Sequence, residues 1–181
     1  SVNDIFNERF SYGGSKLIGE LLTINYFKKV NVPYSIIRYH NIYGPRMGFE
    51  HVIPEFCKRI FDQENPFKIF GGSDTRAFCY IDDAVEASVA IMRENSCNGE
   101  VMHVGNSKEE IPITQLAEMT LQLGDSDAKL KIEKAPEGSV KRRCPNTNKL
   151  KTLTGFEAQI DLNEGLKKSL DWYLKAYSKQ A

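Results

Sequence analysis

The chain has 181 residues, 41% hydrophobic and 27% charged, with a formal net charge of zero. That length allows one domain with a substantial core, and the composition is that of a soluble globular protein. No basic stripe marks a nucleic-acid face. No apolar run approaches the ~20 residues of a membrane span, and no charged-then-apolar leader is visible. Cys57, Cys79, Cys97 and Cys144 are widely spaced and form no Cys-x-x-Cys. That pattern reads against a zinc site or a disulfide framework and fits a reducing, cytoplasmic compartment.

In chain order, residues 1–11 read as a polar lead-in. A helix is predicted from about Ser11 to Val30, with Leu17, Leu21 and Ile24 on one face and Asn31 and Pro33 ending it. Tyr34 to Tyr39 has the profile of a buried parallel strand. A loop and helix are predicted over residues 47–64, then a short strand from Pro66 to a Gly71-Gly72 turn. Asp82 or Asp83 is expected to cap a helix running to about Glu94. Val101–Asn106 reads as a strand, with His103 a packed strand residue. A helix capped by Thr114 and stopped by Gly124 follows, then a short strand over residues 129–134. Asp161 to Glu164 resembles a capping box, opening a terminal helix with Leu162, Leu166, Leu170 and Tyr173 on one face. Helix followed by parallel strand is half of a doubly wound unit, in which ligands gather at the carboxyl ends of strands.

Chemistry concentrates first at Tyr12 and Lys16, one helical turn apart. A phenol is a weak acid, with a reference pKa of about 10, and a neighbouring ammonium favours the phenolate. Such a pair can move a proton to or from a carbinol or carbonyl oxygen. On the pair alone, a helix surface carrying an unremarkable Tyr and Lys is equally consistent.

The run Ser-Tyr-Gly-Gly-Ser-Lys-Leu-Ile-Gly-Glu over residues 11–20 resembles the active-site helix of extended short-chain dehydrogenases/reductases, the NAD-dependent nucleotide-sugar epimerases and dehydratases. Three further motifs follow in order. Arg38-x-x-Asn41-x-Tyr43-Gly44-Pro45-Arg46 is similar to the family's Arg-x-x-Asn-x-Tyr-Gly-Pro-Arg element, which follows the strand and turns toward the substrate. Arg76-Ala77-Phe78-Cys79-Tyr80-Ile81-Asp82-Asp83 is similar to its Arg-x-Phe-x-Tyr-Val-x-Asp. Arg142-Arg143-Cys144-Pro145-Asn146 is similar to its Arg-Arg-x-Pro-Asp, with Asn146 in place of Asp. The Asn146 departure puts the cap or salt link of that Asp in doubt.

The resemblance implies an α/β fold: the C-terminal part of a Rossmann-type doubly wound sheet plus a small α/β substrate domain, divided near residue 46. It implies Tyr12 as catalytic acid/base and Lys16 as its support, both touching the NAD ribose, with Tyr43 as a weaker cofactor contact. It implies Asn41, Arg76 and Arg143 as diphosphate contacts and Val52 and Ile69 as pocket lining, with Ile69 and Phe70 near the base. Arginine suits phosphate because its planar guanidinium forks onto two oxygens. His51 is expected at the rim or surface. The substrate is a nucleotide-sugar, with UDP favoured, and the full-length enzyme a homodimer.

None of the 13 glycines forms Gly-x-Gly-x-x-Gly, the turn that cradles a dinucleotide pyrophosphate at a helix N-terminus. The expectation is therefore a C-terminal portion of a longer enzyme, inactive by itself. Epimerase, dehydratase and decarboxylase share these motifs. A non-catalytic nucleotide-sugar-binding or interaction module is the second reading.

Overall fold

A computed structural model describes Phe6 and residues 11–179; the lead-in expected before Ser11 lies outside them, Phe6 apart. The elements are α1 (Ser11–Val30), β1 (Ile36–Tyr39), β2 (Ile42–Tyr43), α2 (Val52–Phe61), β3 (Phe67–Phe70), β4 (Thr75–Ala77), β5 (Cys79–Tyr80), α3 (Ile81–Arg93), β6 (Val101–Val104), β7 (Glu110–Pro112), α4 (Ile113–Leu123), β8 (Leu130–Glu133), β9 (Arg142–Arg143), α5 (Asn148–Thr154) and α6 (Leu162–Ser178). The α/β class is as the sequence implied. Asn31 ends α1 in the left-handed region, φ 54°, where Asn is tolerated better than most residues.

Strand β1 pairs in parallel with β6, Ile36 opposite Val101 and Tyr39 opposite Val104. Strands β2 and β5 pair in parallel, as do β3 and β8. Strand β4 lies between β7, antiparallel, and β9, parallel. This places the carboxyl end of β1 beside that of β6, and brings the two arginine-bearing strands β4 and β9 side by side.

Two apolar clusters hold these pieces. One gathers α2, α4, α6 and β3 around Phe56, Phe67, Leu116, Leu166 and Tyr173. The other packs Ala84, Ala87 and Ile91 of α3 and Leu150 of α5 against Met102 and Val104 of β6, with Ile37 and Ile42 alongside. Strand β1 thus shares its core with residues far downstream.

Helix α6 begins as its sequence predicts: the Asp161 carboxylate accepts from the Glu164 N–H at 2.8 Å. Two other expected caps are replaced by longer-range bonds. Helix α3 has no side-chain cap. The buried Asp83 carboxylate instead accepts from the backbone N–H groups of Gln159 and Ile160, at 3.0 and 2.9 Å, tying α3 to the entrance of α6. Helix α4 likewise has no side-chain cap, and the Thr114 hydroxyl donates to the Gly72 carbonyl at 2.7 Å. Gly124 does end α4. Helix α5 has no side-chain cap at its N-cap, Thr147; Asn146, one residue before, accepts from Asn148 N–H at 3.0 Å through its Oδ1.

Candidate functional site

Tyr12 and Lys16 lie on one face of α1, as their spacing requires. Tyr12 is 72% exposed, and the Lys16 ammonium sits 5.1 Å from the centre of its ring. They line a cleft of about 830 Å³ between α1 and β1, together with Glu20, Thr23 and residues 35–39. The floor is fixed by a two-point ion pair: Arg38 donates from Nε and an Nη to the two carboxylate oxygens of Glu20, at 2.7 and 2.5 Å. That fork holds the Glu20 carboxyl below the usual carboxylate range, with Arg38 itself shifted upward.

The chain turns at the carboxyl end of β1, with Asn41 at φ 43°. The Asn41 side-chain amide donates to the Ala77 carbonyl at 2.9 Å, and the Asn41 backbone carbonyl accepts from Cys79 N–H at 3.2 Å. Asn41 therefore binds the β1 loop to β4 and β5. Beside it, His40 Nε2 and His103 Nδ1 are 2.5 Å apart, with ring centres separated by 4.8 Å. Both rings are partly buried, and burial pushes both imidazoles below the ordinary histidine value, assisted by the Arg38 charge. His103 is a partly buried residue of strand β6 that packs against His40 as one half of a histidine pair.

Arg76 and Arg143 occupy directly opposed positions of β4 and β9. The Arg76 guanidinium donates to the carbonyls of Thr75 and, at 3.4 Å, Lys141, and lies 3.7 Å from Asp74. Burial and the Arg143 charge both push its pKa down. Arg143 is exposed, and among the described residues no carboxylate pairs with it. Its neighbour Arg142 differs: Glu110 takes it at two points, 2.8 and 2.7 Å. The Arg76–Arg143 register therefore gathers two like charges, one of them unneutralised, as an anion site requires.

Three expected site residues lie elsewhere. Tyr43 is 2% exposed, edge-on to Phe78 and Tyr80, with its hydroxyl 3.5 Å from the Leu162 carbonyl. It packs the core and offers no face to a cofactor. Val52, half-buried at the start of α2, packs against the same cluster. Ile69 is 1% exposed, whereas the next residue, Phe70, is 52% exposed. Strand alternation turns Ile69 inward, and Phe70 is the side chain available to a flat ring. His51 is exposed, at the first position before α2. Of the residues the sequence singled out, Tyr12 and Lys16 share one cleft and Arg76 and Arg143 one strand pair. The groups linking these two places, Glu20, Arg38, His40 and His103, carried no expected role.

Residues 2–105 match the NAD dependent epimerase/dehydratase family. The chain belongs to that family. It is 34% identical over 174 residues to a UDP-N-acetyl-alpha-D-glucosaminuronate decarboxylase of Bacillus cytotoxicus, covering 91% of this chain and 53% of that protein. It is 32% identical to a UDP-glucuronate 4-epimerase of Thermodesulfobacterium geofontis, covering 89% of this chain and 49% of that one. The crystal structure of UDP-glucuronic acid 4-epimerase from Bacillus cereus, in complex with UDP-glucuronic acid and NAD, superposes with a TM-score of 0.84 at 31% identity. That match covers 92% of this chain and 53% of the other. The chain spans about half the length of the curated relatives it matches, and its fold is that part of a Rossmann-type epimerase.

Proposed function

We propose that this chain supplies the acid/base helix and the nucleotide-sugar site of an NAD-dependent enzyme that modifies the sugar of a UDP-sugar. The observation that carries this reading is the opposed Arg76–Arg143 pair, with Arg143 unneutralised while the adjacent Arg142 is matched to Glu110. A diphosphate bridging the two guanidiniums relieves their mutual repulsion. Phe70, exposed at the end of β3, offers a stacking face for the base.

In this reading Tyr12, as its phenolate, takes the proton of a sugar hydroxyl as the carbon gives up its hydride, and the resulting phenol returns that proton to the carbonyl oxygen when the sugar is reduced again. Lys16 holds Tyr12 in place and reaches toward a ribose. The cleft between α1 and β1 is open and lined by both residues, which fits the nicotinamide-ribose end of NAD. When bound, NAD supplies the hydride acceptor. The chain's glycines include no pyrophosphate-cradling turn, so these residues contact only one end of the dinucleotide. The full protein is a homodimeric epimerase, dehydratase or decarboxylase, and these 181 residues alone are inactive.

Calorimetric titration of the chain with UDP-glucose, UDP and NAD separately tests this. UDP-glucose and UDP are expected to bind, NAD weakly or not at all, and Arg143→Ala is expected to weaken UDP-glucose by about 10-fold or more, since charge-assisted hydrogen bonds contribute about 1.5–3 kcal/mol. UDP-glucose binding unchanged in Arg143→Ala and Arg76→Ala overturns the diphosphate assignment. Turnover by the chain alone overturns the assignment of inactivity.

A further inference from the structure

The two places described above are joined through the histidine pair. His40 follows β1 directly, His103 lies on β6, and their facing nitrogens are 2.5 Å apart. Gly105, two residues after His103, makes the junction close: a Cβ there would stand 2.7 Å from Pro145 Cγ and 3.2 Å from His40 Cβ. Pro145 lies two residues after Arg143, so His40 and the arginine strand β9 pack on the same glycine. Charged groups face the pair from every side: Glu20 from α1, Arg38 from β1, Arg143 from β9 and Lys149 from α5. Glu20 is engaged by Arg38 and Lys149 by Glu100, so the unpaired Arg143 leaves the surround net positive. Such a surround disfavours a metal cation between the imidazoles and favours the arrival of an anion.

We propose that His40 and His103 form a proton-linked arm of the Arg76–Arg143 anion site: an anion bound at Arg143 draws one proton from solvent onto the pair. The step balances simply. Empty, the pair is neutral, and one N–H lies between the two nitrogens. With the anion present, one imidazole becomes imidazolium and still donates to its neutral partner, so the hydrogen bond survives and turns charge-assisted. A second proton would set two N–H groups against each other, which limits uptake to one. Burial and the charges of Arg38 and Arg143 hold both rings below the ordinary histidine value in the free chain. An anion offsets Arg143 and moves proton affinity back up. Reciprocity then requires that the anion bind more tightly as pH falls from 8 toward 6.

This inference rests on the nucleotide-sugar reading, and its test separates the two. UDP-glucose is the probe, because its diphosphate diester has no group titrating near neutrality. Calorimetry at pH 6 and 8, in buffers of different ionisation enthalpy, reports protons taken up per ligand bound. The expected result is uptake of a fraction of a proton near pH 6 and an affinity measurably higher at pH 6 than at pH 8. His40→Gln is expected to flatten that pH dependence. Proton NMR provides a second readout, since the chain has only three histidines: saturating UDP-glucose is expected to raise the titration midpoints of His40 and His103. UDP-glucose binding with no proton uptake and unmoved midpoints overturns this proposal and leaves the nucleotide-sugar reading standing. No binding at any pH from 6 to 8 overturns both.

Discussion

Helices α1 and α6 differ both in apolar pattern and in burial: the apolar residues of α6 gather on one face, whereas those of α1 are spread around the helix. In α6, Leu162, Leu166, Leu170, Tyr173 and Tyr177 are all buried, and the tyrosine hydroxyls reach the carbonyls of Met47, at 2.7 Å, and Pro54, at 3.1 Å. In α1 none of the described residues is buried, and Leu17, Leu21, Leu22 and Tyr26 are exposed. Helix α1 is held by short-range bonds, such as Thr23 to the Gly19 carbonyl and Asn25 to the Leu21 carbonyl. The Glu20–Arg38 fork and the stacking of Phe27 on Tyr34 add to these. Where the apolar residues line up on one face, as in α6, that face is buried; where they are spread around the helix, as in α1, none is buried. The proposed chemistry sits on the bare helix, and the packing sits on the other.

The largest test of that division is Tyr173→Ala. The ring is fully buried, stacked on Tyr177, and its hydroxyl donates to Met47. Truncation of a buried aromatic ring costs about 3–5 kcal/mol, and urea unfolding is expected to show a loss of that order. A loss below about 1 kcal/mol would mean that α6 does not hold the core. Next in size is Gly165→Ala, also in α6. A Cβ at Gly165 would run into the Tyr43 hydroxyl and lie 2.9 Å from Tyr80. Both rings are core groups with no room to retreat, so overpacking is expected to cost about 1–3 kcal/mol. The result also bears on Tyr43: if the substitution is tolerated, that ring is free to move, and its place as a core residue is in question.

How far the sequence could be read follows from the range of the interactions involved. The bounds of α1 were legible, because Asn31 and Pro33 stop it locally. So were the Asp161 cap and the Gly124 stop, each satisfied within a turn. Asp83 and Thr114 misled because their partners lie 76 and 42 positions away, and a local rule supplies only the nearer option. Strands β2, β7 and β9 have two or three residues each and exist by virtue of what they pair with. At the site, the Tyr12–Lys16 spacing and the Arg76 and Arg143 motifs were legible. The phase of a four-residue strand was not, which is why both Ile69 and Phe70 were expected near the base although only Phe70 is exposed. The histidine pair depends on the parallel register of β1 and β6, and no spacing between residues 40 and 103 encodes that.

The smallest expected effect sharpens the comparison most, because its sign reverses. Gly14→Ala makes in α1 the same chemical change as Gly165→Ala makes in α6. Around Gly14 a Cβ would meet nothing within 4 Å, and the residue is helical. Only backbone entropy and helix propensity are at issue, and Ala is favoured over Gly in a helix by about 0.5–1 kcal/mol. Gly14→Ala is therefore expected to stabilise α1, seen as slower amide exchange along residues 14–28 and slightly higher helicity. Slower exchange here together with destabilisation at Gly165 would confirm that the two helices obey different rules within this chain: local propensity in α1, packing in α6. Faster exchange in Gly14→Ala would show that α1 packs on a surface that has no space for a methyl group. The bare face beside Tyr12 would then be a covered one, and the cleft open to a cofactor would have to be sought on the other side of the helix.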